Sequence, residues 1–524
     1  MTKRILLLLC AFGCGDDANP TVDSGAGDGS GDSCSTSVVA RPGTVLTTTG
    51  PVTGTSEGTV FAWKGIPYAA PPVGDHRWRP PAPAACWTDE RMTTTFGMQC
   101  PQLDDSAQVV GDEDCLMLNV WAPTSASGAP VLVFVHGGGN TQGSASDPLY
   151  DGAKLATATG AVVVTLEYRL GALGFYASTE LDAERTEHVS GNYGILDQIA
   201  ALSWVQANIA RFGGAPDHVL LFGESAGAQD TLVHVASPLS SGLFAAALAE
   251  SGGSYRTTLA QHETAMLELS SAVGCATAAL DCMRAVPAAT LAAVPSAVGP
   301  LASGMQYVPA IDGYLLVDTV PNVIALGAHN KVPLVIGTNG DETSRMVPRV
   351  TSEAEYETAV RALYGQATDA LLAIYPASSF PSPQKALIRM TTDLTWTCPT
   401  RRLARVASEH QTAPVFRYHF TWTAPGVGGA AVGATHGLEL PFVFATFAAI
   451  APGFVPTAED TALSAALQGY WARLAATGDP NGASAVIWPL YDTATDPFLG
   501  LDRTIAAGAG LASDECDALE ALIP

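Results

Sequence analysis

The residues best placed to do chemistry are Gly223-Glu224-Ser225-Ala226-Gly227, between the apolar run Val219-Leu220-Leu221-Phe222 and the helix-like Ala228-Gln229-Asp230-Thr231-Leu232-Val233. A serine at a tight strand-to-helix turn must adopt strained backbone angles with its hydroxyl projecting, and flanking glycines let the strand and helix approach. This is the context of a nucleophile elbow, and it presents Ser225 at the carboxyl edge of a sheet. The five letters alone occur by chance in glycine-rich chains; the strand before them and the helix after them set this copy apart. A serine nucleophile leaves charge on the attacked carbonyl oxygen, so backbone N–H groups must converge there. His136-Gly137-Gly138-Gly139, directly after the run Val131 to Val135, supplies candidates, because residues without side chains let the main chain turn its amides inward.

A general base and an orienting acid must accompany the serine. In folds with this elbow the acid follows the serine and the histidine comes last, which leaves His410, His419 and His436. His410 falls at a polar helix end, and His419 alternates with Arg417 and Thr421 on the hydrophilic side of a strand-like run from Val415 to Trp422; both read as structural. His436 lies between Gly433 and Gly437, where a catalytic loop is possible. Asp341 and Glu342 sit just past the run Val332 to Gly337, and either carboxylate could orient the imidazole.

These side chains need a scaffold. Val131 to Val135, Ala161 to Leu166, Val219 to Phe222 and Val332 to Ile336 are apolar runs too short for helices and bounded by turn residues, as expected of buried strands in a mostly parallel sheet. From Gly194 to Phe212, apolar residues recur every three or four positions before Gly213-Gly214, which predicts an amphipathic helix with a glycine stop. Strand, crossover helix and strand in succession describe an α/β fold with helices on both faces.

Longer segments carry a resemblance. Phe61-Ala62-Trp63-Lys64-Gly65-Ile66-Pro67-Tyr68-Ala69 with Pro71-Pro72-Val73-Gly74, then Glu113-Asp114-Cys115-Leu116-Met117-Leu118-Asn119-Val120, then Gly191-Asn192-Tyr193-Gly194 through Phe212-Gly213-Gly214 into the elbow, resemble the type-B carboxylesterase/lipase family that includes the cholinesterases. The resemblance implies an α/β-hydrolase fold: a large, mostly parallel twisted sheet covered by helices on both faces, with helical insertions. It implies that the oxyanion amides belong to Gly138, Gly139 and Ala226, that His436 in His436-Gly437-Leu438-Glu439-Leu440-Pro441-Phe442 is the base, and that Glu342 is the acid. It also implies disulfides joining Cys100 to Cys115, Cys275 to Cys282 and Cys398 to Cys516, leaving Cys34 and Cys86 as a further candidate pair. Met117, Asn140 and Thr343 depart from the family pattern, Asn140 replacing a residue that is commonly aromatic.

The expected function is therefore hydrolysis of a small-molecule carboxylic ester through an acyl-enzyme, with neutral His436 taking the Ser225 proton and an acid limb at about pH 6 to 7. No metal or organic cofactor is required. Glu224 is left open between a negative field beside the reacting groups and a structural role. The competing class is a non-catalytic adhesion protein that keeps the fold and loses the nucleophile; here serine, glutamate and histidine are all present. The loop Pro101 to Asp114 holds no aromatic residue, which argues against a quaternary-ammonium site of the cholinesterase design.

Composition sets outer limits. Lys+Arg of 25 against Asp+Glu of 50 in 524 residues gives a formal charge of -25, a field that repels nucleic-acid backbones and anionic lipid surfaces. Lys3 and Arg4 precede the apolar Ile5 to Phe12, far shorter than the roughly 20 residues of a membrane span and suited to a secretory signal. The expected organisation is a signal peptide over 1–13, a Gly/Ser/Asp-rich tether over 14–36 and one catalytic domain over 37–524. Gly13-Cys14 before that tether resembles a bacterial lipidation box, so Cys14, with Cys10 as competitor, is the expected anchor to a membrane; otherwise the protein is secreted. With those two cysteines set aside, the remaining ones are even in number and lack metal-type spacing, which favours disulfides in an exported protein.

Overall fold

The computed structural model describes residues 41–522, apart from 254, 276–278, 298–300, 302–303 and 484. The expected signal, tether, lipidation cysteines and Cys34 lie outside the described residues.

A central sheet of eleven strands organises the chain. They are β1 (Thr55–Glu57), β2 (Val60–Pro67), β3 (Met117–Pro123), β4 (Ala129–Val135), β5 (Val162–Leu166), β6 (Gly214–Glu224), β7 (Ala246–Glu250), β8 (Leu334–Asn339), β9 (Val415–Phe420), β10 (Pro497–Leu501) and β11 (Ala506–Ala509). Their spatial order is β1-β2-β3-β5-β4-β6-β7-β8-β9-β10-β11. From β5 to β10 every neighbouring pair is parallel, and antiparallel strands are confined to the two edges.

Successive side chains on a strand point to opposite faces, so a strand covered on both sides reads as a continuous apolar run. β4 shows this: Val131, Val133 and Val135 enter one core, Leu132 and Phe134 the other. The first core is closed by α1 (Tyr193–Asn208) and α2 (Ala226–Ala236) through Ile195, Leu202, Leu232 and Val235. The second is closed by α4 (Ala458–Thr477) through Leu463, Leu467, Trp471 and Leu474. A smaller core, with Tyr356, Leu387 and the Cys398–Cys516 bridge, belongs to helical insertions around α3 (Cys398–His410). Among the described residues no helix is long and apolar enough to cross a membrane.

Two boundaries differ from expectation for local reasons. The helix after Gly194 ends at Asn208 and tightens into a 3-10 turn, Ile209–Phe212, before Gly213 closes it at φ 86°. The strand expected from Val332 starts at Leu334, because Pro333 has no N–H for the ladder and contributes only its carbonyl, which accepts from Ala247 N at 3.0 Å. A third difference concerns a face. β9 has no hydrophilic side: all six residues are buried, Arg417 is held by Asp496 at 3.0 Å, and His419 packs edge-on against Phe498.

Candidate active site

Ser225 links the end of β6 to the start of α2 with φ 58° and ψ −121°, a conformation seldom adopted by residues with a side chain. Its N–H donates to Glu250 O at 2.9 Å, which ties the turn to β7. The neighbouring glycines are required by space. A Cβ on Gly227 would stand 2.0 Å from Val135 O, and one on Gly223 would stand 2.5 Å from the Gly227 carbonyl carbon. The glycine loop after β4 lies against this elbow, since a Cβ on Gly137 would meet Ser225 Cβ at 3.0 Å. Gly138, Gly139 and Asn140 continue it with φ of 106°, 65° and 56°. Asn140 is fully buried and turned into a polar network: its Nδ2 donates to Asp230 at 3.2 Å and to the Tyr255 hydroxyl at 3.0 Å, and its Oδ1 accepts from the Tyr168 hydroxyl at 3.2 Å.

Glu342 follows β8 and is fully buried. Its Oε2 accepts from His436 Nδ1 at 2.6 Å, and its Oε1 accepts from Ser251 Oγ at 2.5 Å and Asn339 N at 2.7 Å. Asp341 is directed elsewhere, to Lys385 Nζ at 2.7 Å and Ala434 N at 3.2 Å. The opposite imidazole nitrogen, Nε2, lies 3.2 Å from Glu224 Oε1, beside the serine. Among the described residues the ring's polar partners are these two glutamates and not the Ser225 hydroxyl.

A profile of the Carboxylesterase family matches residues 41–519. The chain belongs to the carboxylesterase family. It is 36% identical over 475 residues to the fumonisin B1 esterase of Sphingopyxis macrogoltabida, covering 87% of this chain and 86% of that one. It is 38% identical over 480 residues to the para-nitrobenzyl esterase of Bacillus subtilis (strain 168), covering 88% and 95%. A solved PNB esterase superposes with a TM-score of 0.79 at 36% identity, covering 91% of this chain and all of that one. As a carboxylesterase-family member the protein is a serine hydrolase acting on ester bonds, built on the α/β-hydrolase fold.

Electrostatics separates the carboxylesterase's buried groups. Burial alone would lower the His436 pKa, but the Glu224 and Glu342 carboxylates outweigh it and raise the imidazole to about 10. Burial raises Glu224 to about 7 against the pull of His436. Glu439 and Glu250 stand further back, bonded to Asn339 Nδ2 and, at 2.7 Å, to Trp471 Nε1. Burial raises both, Glu439 to about 8. The three disulfides implied by the family resemblance are present: Cys100–Cys115, Cys275–Cys282 and Cys398–Cys516. The Cys34 and Cys86 pairing involves a residue outside the described ones.

Two neighbours of the site were not singled out in the sequence. Ser251 follows β7 at φ 57° and donates to Glu342; Trp396 stacks obliquely on His436 at 4.9 Å and donates to Ser251 O at 2.9 Å. The available signal for Ser251 was a Ser-Gly-Gly run at the carboxyl end of a buried strand.

Proposed function

We propose that this carboxylesterase acts through a Ser225-His436-Glu342 triad and a covalent acyl-enzyme. The observation that carries the reading is the 2.6 Å contact from His436 Nδ1 to Glu342. A carboxylate there keeps the proton on Nδ1, so the proton the imidazolium gives up is the one on Nε2, and the lone pair that remains on the side of the elbow acts as base. Nε2 takes the Ser225 proton as Oγ bonds to the ester carbonyl carbon, and the amides of Gly138, Gly139 and Ala226 hold the oxyanion. The imidazolium then gives its proton to the departing alcohol. Water, deprotonated by the same nitrogen, attacks the acyl-enzyme and frees the acid and Ser225. The relatives named for esters of small molecules favour a substrate of that class.

A fluorophosphonate should add once to the wild-type enzyme at Ser225, and Ser225→Ala should abolish the adduct and lower kcat by at least about 10⁴-fold with Tm little changed. Undiminished turnover in a clean Ser225→Ala preparation overturns the triad.

We further propose that the enzyme lies outside the cytosol, anchored through Cys14; Gly13-Cys14 at the end of the short apolar segment and the three disulfides support this reading. Cys14→Ser should move active enzyme from membranes to the soluble exported fraction without altering activity per molecule. Membrane association unchanged in Cys14→Ser would shift the assignment to Cys10, and soluble wild-type enzyme with an unmodified N-terminus would leave plain secretion.

A further inference from the structure

A second histidine–glutamate pair, His136 and Glu167, stands at the root of the glycine loop and has no part in the proton transfers above. His136 is fully buried, and its Nδ1 lies 2.9 Å from Gly137 O. A carbonyl oxygen only accepts, so Nδ1 carries the proton and Nε2 of the neutral ring presents a lone pair. The ring has little room to turn: it stacks on Tyr168 at 4.5 Å, and a Cβ on Gly143 would fall 2.5 Å from Nδ1. Among the described residues Nε2 has no hydrogen-bond partner. It is 3.9 Å from Glu167 Oε2, which is also buried and without one, while Glu167 Oε1 accepts from Ser144 Oγ at 2.5 Å.

Two lone-pair atoms cannot satisfy each other without a proton between them, and leaving both unpaired in the interior is costly. Burial pushes Glu167 up to about 8, against hydrogen bonds from Ser144 and from the Ala145 and Ser146 backbone, and pushes His136 down to about 4, so between the two a shared proton favours the acid over the ring. A shift of about 1 Å brings the two atoms to hydrogen-bond length. The consequence reaches the oxyanion through one peptide plane. In a trans peptide the carbonyl of Gly137 and the N–H of Gly138 point in opposite directions, so the bond that holds the carbonyl fixes the direction of the amide.

We propose that Glu167, as a carboxylic acid, is a positioning residue: it donates to His136 Nε2, holding the ring whose Nδ1–H pins the Gly137–Gly138 peptide and aims the Gly138 amide. This rests on the triad and oxyanion reading above. Other titratable groups face Glu167 as well. Tyr68, just past β2, donates to its backbone oxygen at 2.7 Å, and Tyr168 is its chain neighbour; burial pushes both phenols up. Arg169 is paired with Asp197 of α1 at 2.7 Å. Glu167 is thus the group of this set expected to lose a proton near pH 8.

The test compares Glu167→Ala and Glu167→Gln by kcat, KM, pH profile and inhibition by a trifluoromethyl ketone, whose adduct carries the oxyanion. Glu167→Ala should lower kcat about 10- to 100-fold with KM within about twofold, and weaken the ketone in parallel. Glu167→Gln, whose NH₂ can donate to Nε2 while its oxygen accepts from Ser144, should restore most of kcat and lose the wild-type decline in kcat near pH 8. An unchanged kcat in Glu167→Ala, or an alkaline limb retained in Glu167→Gln, overturns the proposal. If Glu167→Ala does not fold, the Glu167→Gln profile decides alone. Fluorophosphonate labelling of wild-type Ser225 keeps the two readings apart, since its failure would strike the triad and not Glu167.

Discussion

His436 and His136 each face a buried glutamate, yet the two pairs carry their protons in opposite senses. At His436 two carboxylates converge on the ring, Glu342 on Nδ1 and Glu224 near Nε2, and their attraction for the imidazolium exceeds the cost of burial. At His136 one ring nitrogen meets a backbone carbonyl and the other an acid that burial itself neutralises, so the ring is held neutral. The residue types are the same. Both carboxyl groups take donors on the oxygen turned away from the ring, Ser251 and Asn339 at Glu342 and Ser144 at Glu167; what differs is the second carboxylate, Glu224, at His436, against a backbone carbonyl at His136. A histidine–glutamate contact therefore makes a base or a strut according to what meets the other ring nitrogen.

The contrast is broken most severely at Glu342. Glu342→Gln keeps the shape but offers an NH₂ to Nδ1, favouring the wrong tautomer, and kcat should fall about 10⁴-fold in steady-state assays. A loss below tenfold would remove the distinction between the two pairs. Ser251→Ala deletes one of the donors on Glu342, and about a tenfold lower kcat with Tm nearly unchanged is expected; an unchanged kcat would mean that Asn339 suffices. Glu224→Gln acts on the pH scale. Because the Glu224 carboxylate stabilises imidazolium, its removal lowers the His436 pKa, and the acid limb of kcat/KM should move about one unit toward acid. In the wild type that limb should lie above the pH 6 to 7 expected of an ordinary histidine, because both carboxylates raise it. A limb that stays fixed in Glu224→Gln would show that Glu342 alone sets the base.

What was legible in the sequence is what is written locally. Ser225 and its glycines announce their own turn, and apolar runs mark strands because both faces of the sheet are covered. The Glu342–His436 contact joins residues 94 positions apart, so that pairing followed from the family resemblance and not from any periodicity, and the order of the strands was in neither. Where neither source spoke, the reading erred or stayed silent. His419 and Arg417 looked like a solvated face because the partner of Arg417, Asp496, arrives from 79 positions away. Trp396 reaches His436 from a π-helical segment whose sequence carries no mark of it. Glu167 follows directly on the apolar run that forms β5, and only the fold sets its side chain against His136.

The Cys398–Cys516 bridge closes a loop with a sequence separation of 118, and His436 lies inside it. Val455, in the same loop, is 80% exposed, so a protease can reach the chain there. A single cut at that point divides the polypeptide without dividing the molecule, because the fragments remain covalently joined through α3 and the closing helix Ser513–Leu522. Limited proteolysis should yield a nicked protein that migrates as one band until a thiol reductant is added.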